Sequence, residues 1–235
     1  VRHFFRAGGS SGTIAKAMSA YDKDFSDAVY GIEEDGRYVT ESRLKKMLSH
    51  ETNLIEQRLS REKHPNKMFF SYANTVATID FAKQFKGHGW VGISYQIEPD
   101  EAYNEIILHI RFKENDAKLQ QETLGILGVN LIYGAFYKYN DPKKLLRYLY
   151  DHLDKDQLEI DTINFSGPRF ANVDNRLMSL QLVKNGMTDA VMFGPDGNNI
   201  LPAAVLYKKN ILALRGSFRP VTKANMNMYK KSYEM

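Results

Sequence analysis

Three glycine-containing segments, each placed directly after an apolar run, combine residue types that bind anions. They are Ser166-Gly167-Pro168-Arg169, Gly194-Pro195-Asp196-Gly197 and Arg215-Gly216-Ser217. Glycine lets the backbone approach a ligand closely, the N–H groups at a helix start attract negative charge, and arginine binds phosphate through two parallel hydrogen bonds. The three segments therefore predict a site for a nucleotide or a phosphorylated metabolite.

The residues of this predicted site divide by their chemistry. Arg169 and Arg215 are expected to hold phosphate oxygens, and the amides of Gly216 and Ser217 to cradle them. Asp196 is expected to contact Mg2+ or a ribose hydroxyl. The other positions predicted to contact the nucleotide are Ser166, Gly167, Gly194 and Gly197. A structural explanation competes with this one, because Pro-Asp-Gly is also an ideal turn sequence.

His109 is a separate candidate, for acid–base chemistry. It lies in the strand-like run from Glu105 to Phe112, where alternate residues from Ile106 onward are apolar and the opposite face carries Glu105, His109 and Arg111. Ser94 or Gln96 is its expected neighbour. A solvated sheet face with cross-strand ion pairs is the competing interpretation. The six histidines show no paired spacing, so no metal site is predicted from them.

The elements that would position the three loops alternate between strand and helix. Apolar runs at Leu158–Phe165, Asp189–Phe193 and Ile211–Leu214 predict strands, and helical patterns at Asn175–Asn185 and Leu201–Lys208 separate them. Short strands that do not alternate are typical of a parallel sheet covered on both faces. Ligands of such sheets bind beyond the carboxyl ends of the strands, which is where the three loops would meet.

The first part of the chain follows another pattern. A helix is predicted over Thr40–Glu62, three strands follow it, and a long apolar helix spans Ala117–Tyr137. The last two of these strands are separated by a short loop, which predicts an antiparallel hairpin. The expected fold is therefore α/β, with an antiparallel, helix-backed region over residues 1–155. A Rossmann-like βαβαβ region over residues 156–235 would follow, incomplete at its C-terminus.

Composition limits the classes of protein that fit. The 235 residues are 43% hydrophobic and 26% charged, with a net charge of +4 and no cysteine. Disulfides, thiolate metal sites and cysteine nucleophiles are thereby excluded, and a cytoplasmic location is the expectation. No segment reaches the roughly 18 apolar residues of a membrane helix, so no membrane partner is predicted. Nucleic acid is disfavoured, because no recognition helix or RNP pattern accompanies the basic C-terminal end.

The segment Gly216-Ser217-Phe218-Arg219-Pro220-Val221-Thr222 resembles the G-[ST]-F-x-P-x-[HT]-x-G-H signature of the nucleotidyltransferase superfamily. Longer stretches such as FFRAGGSSGTIAKAMSAYD and HGWVGISYQ resemble an uncharacterised bacterial family. Its members are labelled as nicotinate-nucleotide adenylyltransferase-like and sometimes as TonB-dependent receptors. The receptor label does not fit this sequence, because it lacks the alternation of lipid-facing residues that barrel strands require. The resemblance implies a triphosphate-binding turn at Gly216, with Thr222 in the place of a catalytic histidine. Asn225 stands where the signature has its second histidine.

These observations predict a protein that binds a phosphorylated small molecule, with nucleotidyl or phosphoryl transfer assisted by Mg2+ as its expected reaction. Arg215 and Thr222 are the predicted catalytic residues. The alternative is a non-catalytic module with a degenerate nucleotide site. In that case the helix Ala117–Tyr137 would mediate assembly into a homo-oligomer.

Overall fold

Four strands, whose side chains point alternately to the two faces, form one antiparallel sheet in the computed structural model. The structure describes residues 1–83 and 85–234. The strands are β1 (Phe70–Ala77), β2 (His88–Tyr95), β3 (Asn104–Phe112) and β4 (Leu158–Ser166). They lie side by side in chain order, and every neighbouring pair is antiparallel. The predicted hairpin is confirmed as β2 and β3. A small separate hairpin consists of β5 (Met192–Phe193) and β6 (Asn199–Ile200).

The helices surround this sheet. They are α1 (Arg2–Ala7), α2 (Lys23–Tyr30), α3 (Glu41–Arg58), α4 (Ala117–Tyr137), α5 (Pro142–Tyr148), α6 (Asn175–Lys184), α7 (Pro202–Leu206) and α8 (Lys223–Tyr233). Local capping explains several of their starts. The side chains of Thr40, Asp116, Asp141 and Asp174 accept hydrogen bonds from the first-turn N–H groups of α3, α4, α5 and α6.

The first face of the sheet forms the main core with α4, α5 and α6. Ile93, Ile106, Leu108 and Ile163 are fully buried there. The helices contribute Leu127, Leu131, Leu145, Leu146 and Leu182 to the same core. Contacts within the chain account for two glycines of α4, since an added Cβ at Gly128 would lie 2.8 Å from the Tyr72 hydroxyl and one at Gly134 would lie 3.2 Å from Leu145. Close packing inside this chain is therefore sufficient to explain them.

The second face is covered over β1 and β2 by α3. Leu44 and Leu48 of α3 are fully buried, and an added Cβ at Gly92 of β2 would lie about 3 Å from each. Thr52 and Ser71 hydroxyls meet at 2.7 Å between the helix and β1. Apolar contact and one buried hydrogen bond thus fix α3 over β1 and β2. The other half of this second face is formed by β3 and β4.

The predicted Rossmann-like parallel region is wrong. β4 does form at the predicted place, but it pairs antiparallel with β3 and completes the first sheet. The second predicted strand is reduced to β5, which turns back through Gly194–Gly197 into β6. Residues 211–214 have no strand pairing within the described chain. Short apolar runs do not by themselves show which strand they will pair with, and the Pro-Asp-Gly turn favoured a hairpin over a crossover.

The chain divides into two compact units, Val1–Ile200 and Leu201–Met235. The sheet, its helices through α6 and the small hairpin belong to the first unit. The predicted boundary at residue 155 falls within it, between α5 and β4. The second unit holds α7 and α8, and none of its described residues is buried.

Candidate active site

The half of the second sheet face that lies over β3 and β4 carries a row of polar side chains. β3 presents Glu105, His109 and Arg111 on this side. The register places His109 between Trp90 of β2 and Thr162 of β4. His109 therefore lies in the middle of the sheet and not at its rim.

His109 and Asp161 form a buried hydrogen-bonded pair. Nδ1 of His109 is 2.7 Å from Oδ1 of Asp161, and the two side chains are 2% and 7% exposed. A buried carboxylate is costly unless donors replace its lost hydration. Arg111 supplies a second donor, because its Nε lies 3.0 Å from Oδ2 of Asp161. Both oxygens of Asp161 are thus satisfied.

The chain of hydrogen bonds continues from His109 to the surface through His88. Nε2 of His109 lies 3.3 Å from Nδ1 of His88, and the side chain of His88 is exposed. When His109 donates through Nδ1 to Asp161, its Nε2 accepts, and His88 must donate through its own Nδ1. The lone pair of Nε2 on His88 then remains free to accept a proton.

The surroundings keep His88 in its neutral form. Desolvation is the largest cause that lowers the pKa of His88, and repulsion from His109 and Arg111 lowers this pKa further, whereas Asp161 raises it. Trp90, the cross-strand neighbour of His109, packs its ring edge-on against the His109 ring, with 4.9 Å between the ring centroids. The exposed ring is therefore a base at neutral pH, with a buried partner behind it.

A β-bulge in β4 brings Asp161 to this position. His109 pairs with Thr162 and Ile110 pairs with Ile160, so Asp161 is an extra residue in β4. The sequence carries the signal for this bulge. Apolar residues fall at 158 and 160 and then at 163 and 165, a shift of one position that places both Asp161 and Thr162 outside the core. The strand predicted over Leu158–Phe165 did not take this shift in alternation into account. Asp161 was therefore not identified as a candidate residue.

His88 is the first residue of β2, between two glycines that have no room for a side chain. An added Cβ at Gly87 would lie 2.6 Å from the Gln120 side chain, and one at Gly89 would lie 2.3 Å from Val76. The neighbour expected for His109 was Ser94 or Gln96, but Ser94 pairs with Glu105 and Gln96 accepts from the Phe69 N–H. The pairing of β2 with β3, which sequence spacing does not fix, selected His88 instead.

A polar cleft of about 770 Å³ opens on the same sheet face, over the start of β3 and the end of β4. Ile107 lines the cleft, and Arg111, the cross-strand neighbour of His88, lies four positions further along β3, a distance of about 13 Å along a strand. The other lining residues are Glu41, Lys45, Glu105, Asn164, Phe165, Ser166, Val173, Asp174, Asn175, Arg176, Asp196, Gly197, Asn198 and Asn199. Asp161, His109 and His88 are not among these lining residues.

The charges of the cleft favour neutral or cationic groups. Lys45 is 2.6 Å from Glu41, and Arg176 is 2.8 Å from Asp174, so both cations already have carboxylate partners. Burial raises the pKa of Glu105. Hydrogen bonds from Asn198 lower the pKa of Asp196. The cleft thus has two carboxyl groups beyond its ion pairs, together with several asparagine amides.

The structure brings the first two predicted loops together at this cleft. Ser166, Asp196 and Gly197 all line it, and Gly194 lies in the same turn, where its carbonyl accepts from the Gly197 N–H. Asp196 accepts from the N–H of Asn198, which is the turn role that competed with ligand binding. Gly167 has φ of 100°, and an added Cβ would lie 2.5 Å from the Tyr103 carbonyl. Packing against β3 explains this glycine.

Arg169 is held by acidic side chains. Its Nη2 is 2.7 Å from Glu101 and 2.8 Å from Glu98, and its backbone N–H donates to Asn104. A guanidinium shared by two carboxylates is not free to form a bidentate pair with a phosphate. A phosphate would have to displace both acids.

The third predicted loop belongs to the second unit. Arg215, Gly216 and Ser217 are exposed there. Thr222 is the N-cap of α8, where its hydroxyl accepts from the N–H of Asn225 while the Asn225 side chain accepts from the N–H of Thr222. This capping box gives Thr222 and Asn225 a local structural role. The predicted catalytic role of Arg215 and Thr222 stays a prediction.

The carboxylates and histidines do not converge on a point. Within residues 1–83 and 85–234, no group of three or more such side chains has the arrangement of a metal site. Asp161, His109 and His88 form a hydrogen-bonded series. Both nitrogens of His109 and Nδ1 of His88 take part in the hydrogen bonds of this series. The Mg2+ expected from sequence stays a prediction.

Comparisons of the chain with family models, curated proteins and solved structures found no match. The resemblance of the Gly216 segment to nucleotidyltransferases therefore stays a prediction as well. Among the helices of the described residues, none combines the length and the apolar character needed to cross a membrane.

Proposed function

We propose that the protein is an enzyme in which exposed His88 acts as a general base on a substrate that binds at the protein surface beside it. The observation that carries this proposal is the continuous hydrogen-bond chain from buried Asp161 through buried His109 to exposed His88. His88 is the catalytic residue. His109 and Asp161 are positioning residues, because they act through His88 and not on the substrate.

A purely structural ion pair explains only part of this arrangement. Arg111 and His109 already satisfy both oxygens of Asp161, so the fold does not require a further histidine in the chain. β-Bulges are frequent next to active sites, where they redirect a side chain, and a histidine with a lowered pKa such as His88 is a candidate functional residue. The link to exposed His88 is what gives the buried pair access to a substrate.

The chemistry of such a chain is proton transfer. Nε2 of His88 takes a proton from a substrate hydroxyl or a water, and this group attacks an electrophilic centre. His88 then returns the proton to the leaving group. While His88 carries the proton, Asp161 stabilises its positive charge through His109, as a buried carboxylate does in a catalytic triad.

Diethyl pyrocarbonate, which reacts with neutral imidazole, tests the proposal without knowledge of the substrate. The rate at which each histidine is modified is followed at pH 7 by mass spectrometry of peptides. We expect His88 to react faster than His152, which is also exposed and serves as an internal reference. Asp161→Asn should slow His88, because the positive charge that develops on the attacking imidazole loses the carboxylate behind it, and should leave His152 unchanged.

Glu159→Gln is the matched control, because Glu159 is a carboxylate of β4 opposite Arg111 that accepts from Thr188 and has no hydrogen bond or ion pair with a histidine among the described residues. It should leave the rate of His88 unchanged. Equal rates for His88 and His152 in the native protein would contradict the proposal. So would an Asp161→Asn protein that keeps its native melting temperature and its native His88 rate.

A further inference from the structure

The junction of α4 and α5 carries three cationic side chains that have no carboxylate partner. Lys138 follows the end of α4, and Lys144 and Arg147 lie on α5. None of the three has a carboxylate oxygen within 4 Å among the described residues, whereas Arg43, Arg111, Arg169 and Arg176 all do. Lys144 lies in the first turn of α5, where a positive charge is unfavourable for the helix. Helix stability therefore does not explain its place.

Three tyrosines form an aromatic surface beside these cations. The ring of Tyr133 lies 4.7 Å from that of Tyr137 and 4.9 Å from that of Tyr148. Tyr133 is 40% exposed and Tyr137 is 70% exposed. Nζ of Lys138 lies within 6 Å of the Tyr133 and Tyr148 ring centres. Exposed aromatic faces next to free cations are the combination that binds nucleic acid bases and their phosphates.

The cations and one of these tyrosines line an open hollow of about 500 Å³. Its lining residues are Lys138, Lys144, Arg147, Tyr148, Tyr150 and Asp151. Asp151 is the single acid among them, so the lining is positive overall. The cleft lined by Glu105 and Ile107 has the opposite balance, and the two surfaces therefore favour ligands of opposite charge.

We propose that this α4–α5 surface binds a nucleoside phosphate, either free or as part of a single strand. The phosphate lies among Lys138, Lys144 and Arg147, and the base stacks on the exposed tyrosine faces. Free cations provide charge-assisted hydrogen bonds to phosphate oxygens, which Arg169 cannot do while two carboxylates hold it. The proposal is independent of the function proposed for His88. It assigns the expected phosphorylated ligand to a surface outside the three glycine loops.

The test measures binding of ATP, adenosine, inorganic phosphate and a labelled oligouridylate of about ten nucleotides, by calorimetry and fluorescence anisotropy. In the variant with Lys138→Gln, Lys144→Gln and Arg147→Gln, we expect ATP affinity to fall by about a hundredfold, since charged hydrogen bonds are lost. Tyr137→Ala should weaken ATP and adenosine binding and leave inorganic phosphate unchanged.

The matched control replaces three exposed lysines elsewhere on the first unit, Lys113, Lys118 and Lys184, by glutamine. It makes the same change in net charge and should bind ATP like the native protein. Tighter binding of the oligouridylate than of ATP, with a steep dependence on salt, would identify a single strand as the source of the nucleotide. Similar affinities would identify free nucleotides.

Two results would overturn the proposal. One is the absence of binding of ATP and oligouridylate at concentrations up to about 1 mM, which corresponds to a binding free energy of about −4 kcal/mol. The other is an equal loss of affinity in the control variant and in the α4–α5 variant, because general charge attraction would then explain the binding. Melting temperatures of all variants verify that each protein is folded.

Discussion

His88 connects the buried pair to solvent, and its pKa reports on each member of the chain. Asp161 raises this pKa, while His109 and Arg111 lower it. These opposing effects arise because the carboxylate attracts the added proton and the positive charge of Arg111 repels it. Substitution of either charged residue should therefore shift the pKa of His88 in a known direction.

We predict that Arg111→Gln raises the pKa of His88 and that Asp161→Asn lowers it. Titration of the histidine ring resonances by NMR measures both changes, with His152 as an internal reference. A shift of the same sign in both variants would contradict the proposed chain. Trp90 is the only tryptophan of the protein and contacts His109, so its fluorescence provides a second measurement of the same titration.

The lowered pKa of His88 also affects stability. Between the ordinary histidine value and the lower folded value, the unfolded chain binds a proton that the folded protein does not. The free energy of unfolding is therefore reduced as pH falls through this window and is fully present above it. Urea titrations at a series of pH values measure this effect. The free energy of unfolding should fall less with decreasing pH in His88→Gln than in the native protein.

At the scale of elements, the close approach of β1 and β2 depends on Gly89. An added Cβ there would lie 2.3 Å from Val76 Cγ1 and 2.6 Å from the Thr75 carbonyl, and the backbone of Thr75 cannot move without breaking the ladder. The same approach fixes His88, which precedes Gly89. The position of the base is therefore a property of the strand pair.

We predict that Gly89→Ala destabilises the protein by about 1–3 kcal/mol, the cost of overpacking a filled interior. Gly12→Ala is the control, since an added Cβ at Gly12 meets nothing within 4 Å. Urea unfolding measures both free energies. A Gly89→Ala protein as stable as the Gly12→Ala protein would show that β1 and β2 can separate without cost.

At the scale of the whole molecule, all the residues of both proposed sites lie in the first unit. The buried core also ends before residue 200, because none of the described residues from 201 onward is buried. The loop that contains Arg215, Gly216 and Ser217 belongs to the second unit. Removal of that unit separates the two explanations of nucleotide binding.

We predict that the free energy of unfolding of a chain of residues 1–200 lies within about 0.5 kcal/mol of that of the full chain, because none of the removed residues that the structure describes is buried. It should also bind ATP with unchanged affinity. Calorimetry with both chains measures the affinities. Loss of ATP binding in the shorter chain, with its stability retained, would favour the Gly216 turn over the α4–α5 surface.

Local patterns in the sequence determined the elements whose signals are themselves local. The cap at Thr40, the long helix after Asp116 and the alternation of β3 predicted α3, α4 and the core face of β3. His109 was singled out for the same reason, because alternation placed it opposite the core residues. These features depend on residues only a few positions apart.

Pairing between distant strands decided the rest. Asp161 of β4 bonds Arg111 of β3, which lies 50 residues earlier in the chain. A single extra residue in β4 sets which side chain meets His109. Period-2 patterns do not specify the neighbouring strand, so the predicted parallel sheet was wrong and His88 and Asp161 were not connected. The sequence by itself determined α3, α4, α6, β3, β4 and the choice of His109. Only the tertiary structure brought together the three residues of the proposed base, because hydrogen bonding across a sheet joins segments that are far apart in the chain.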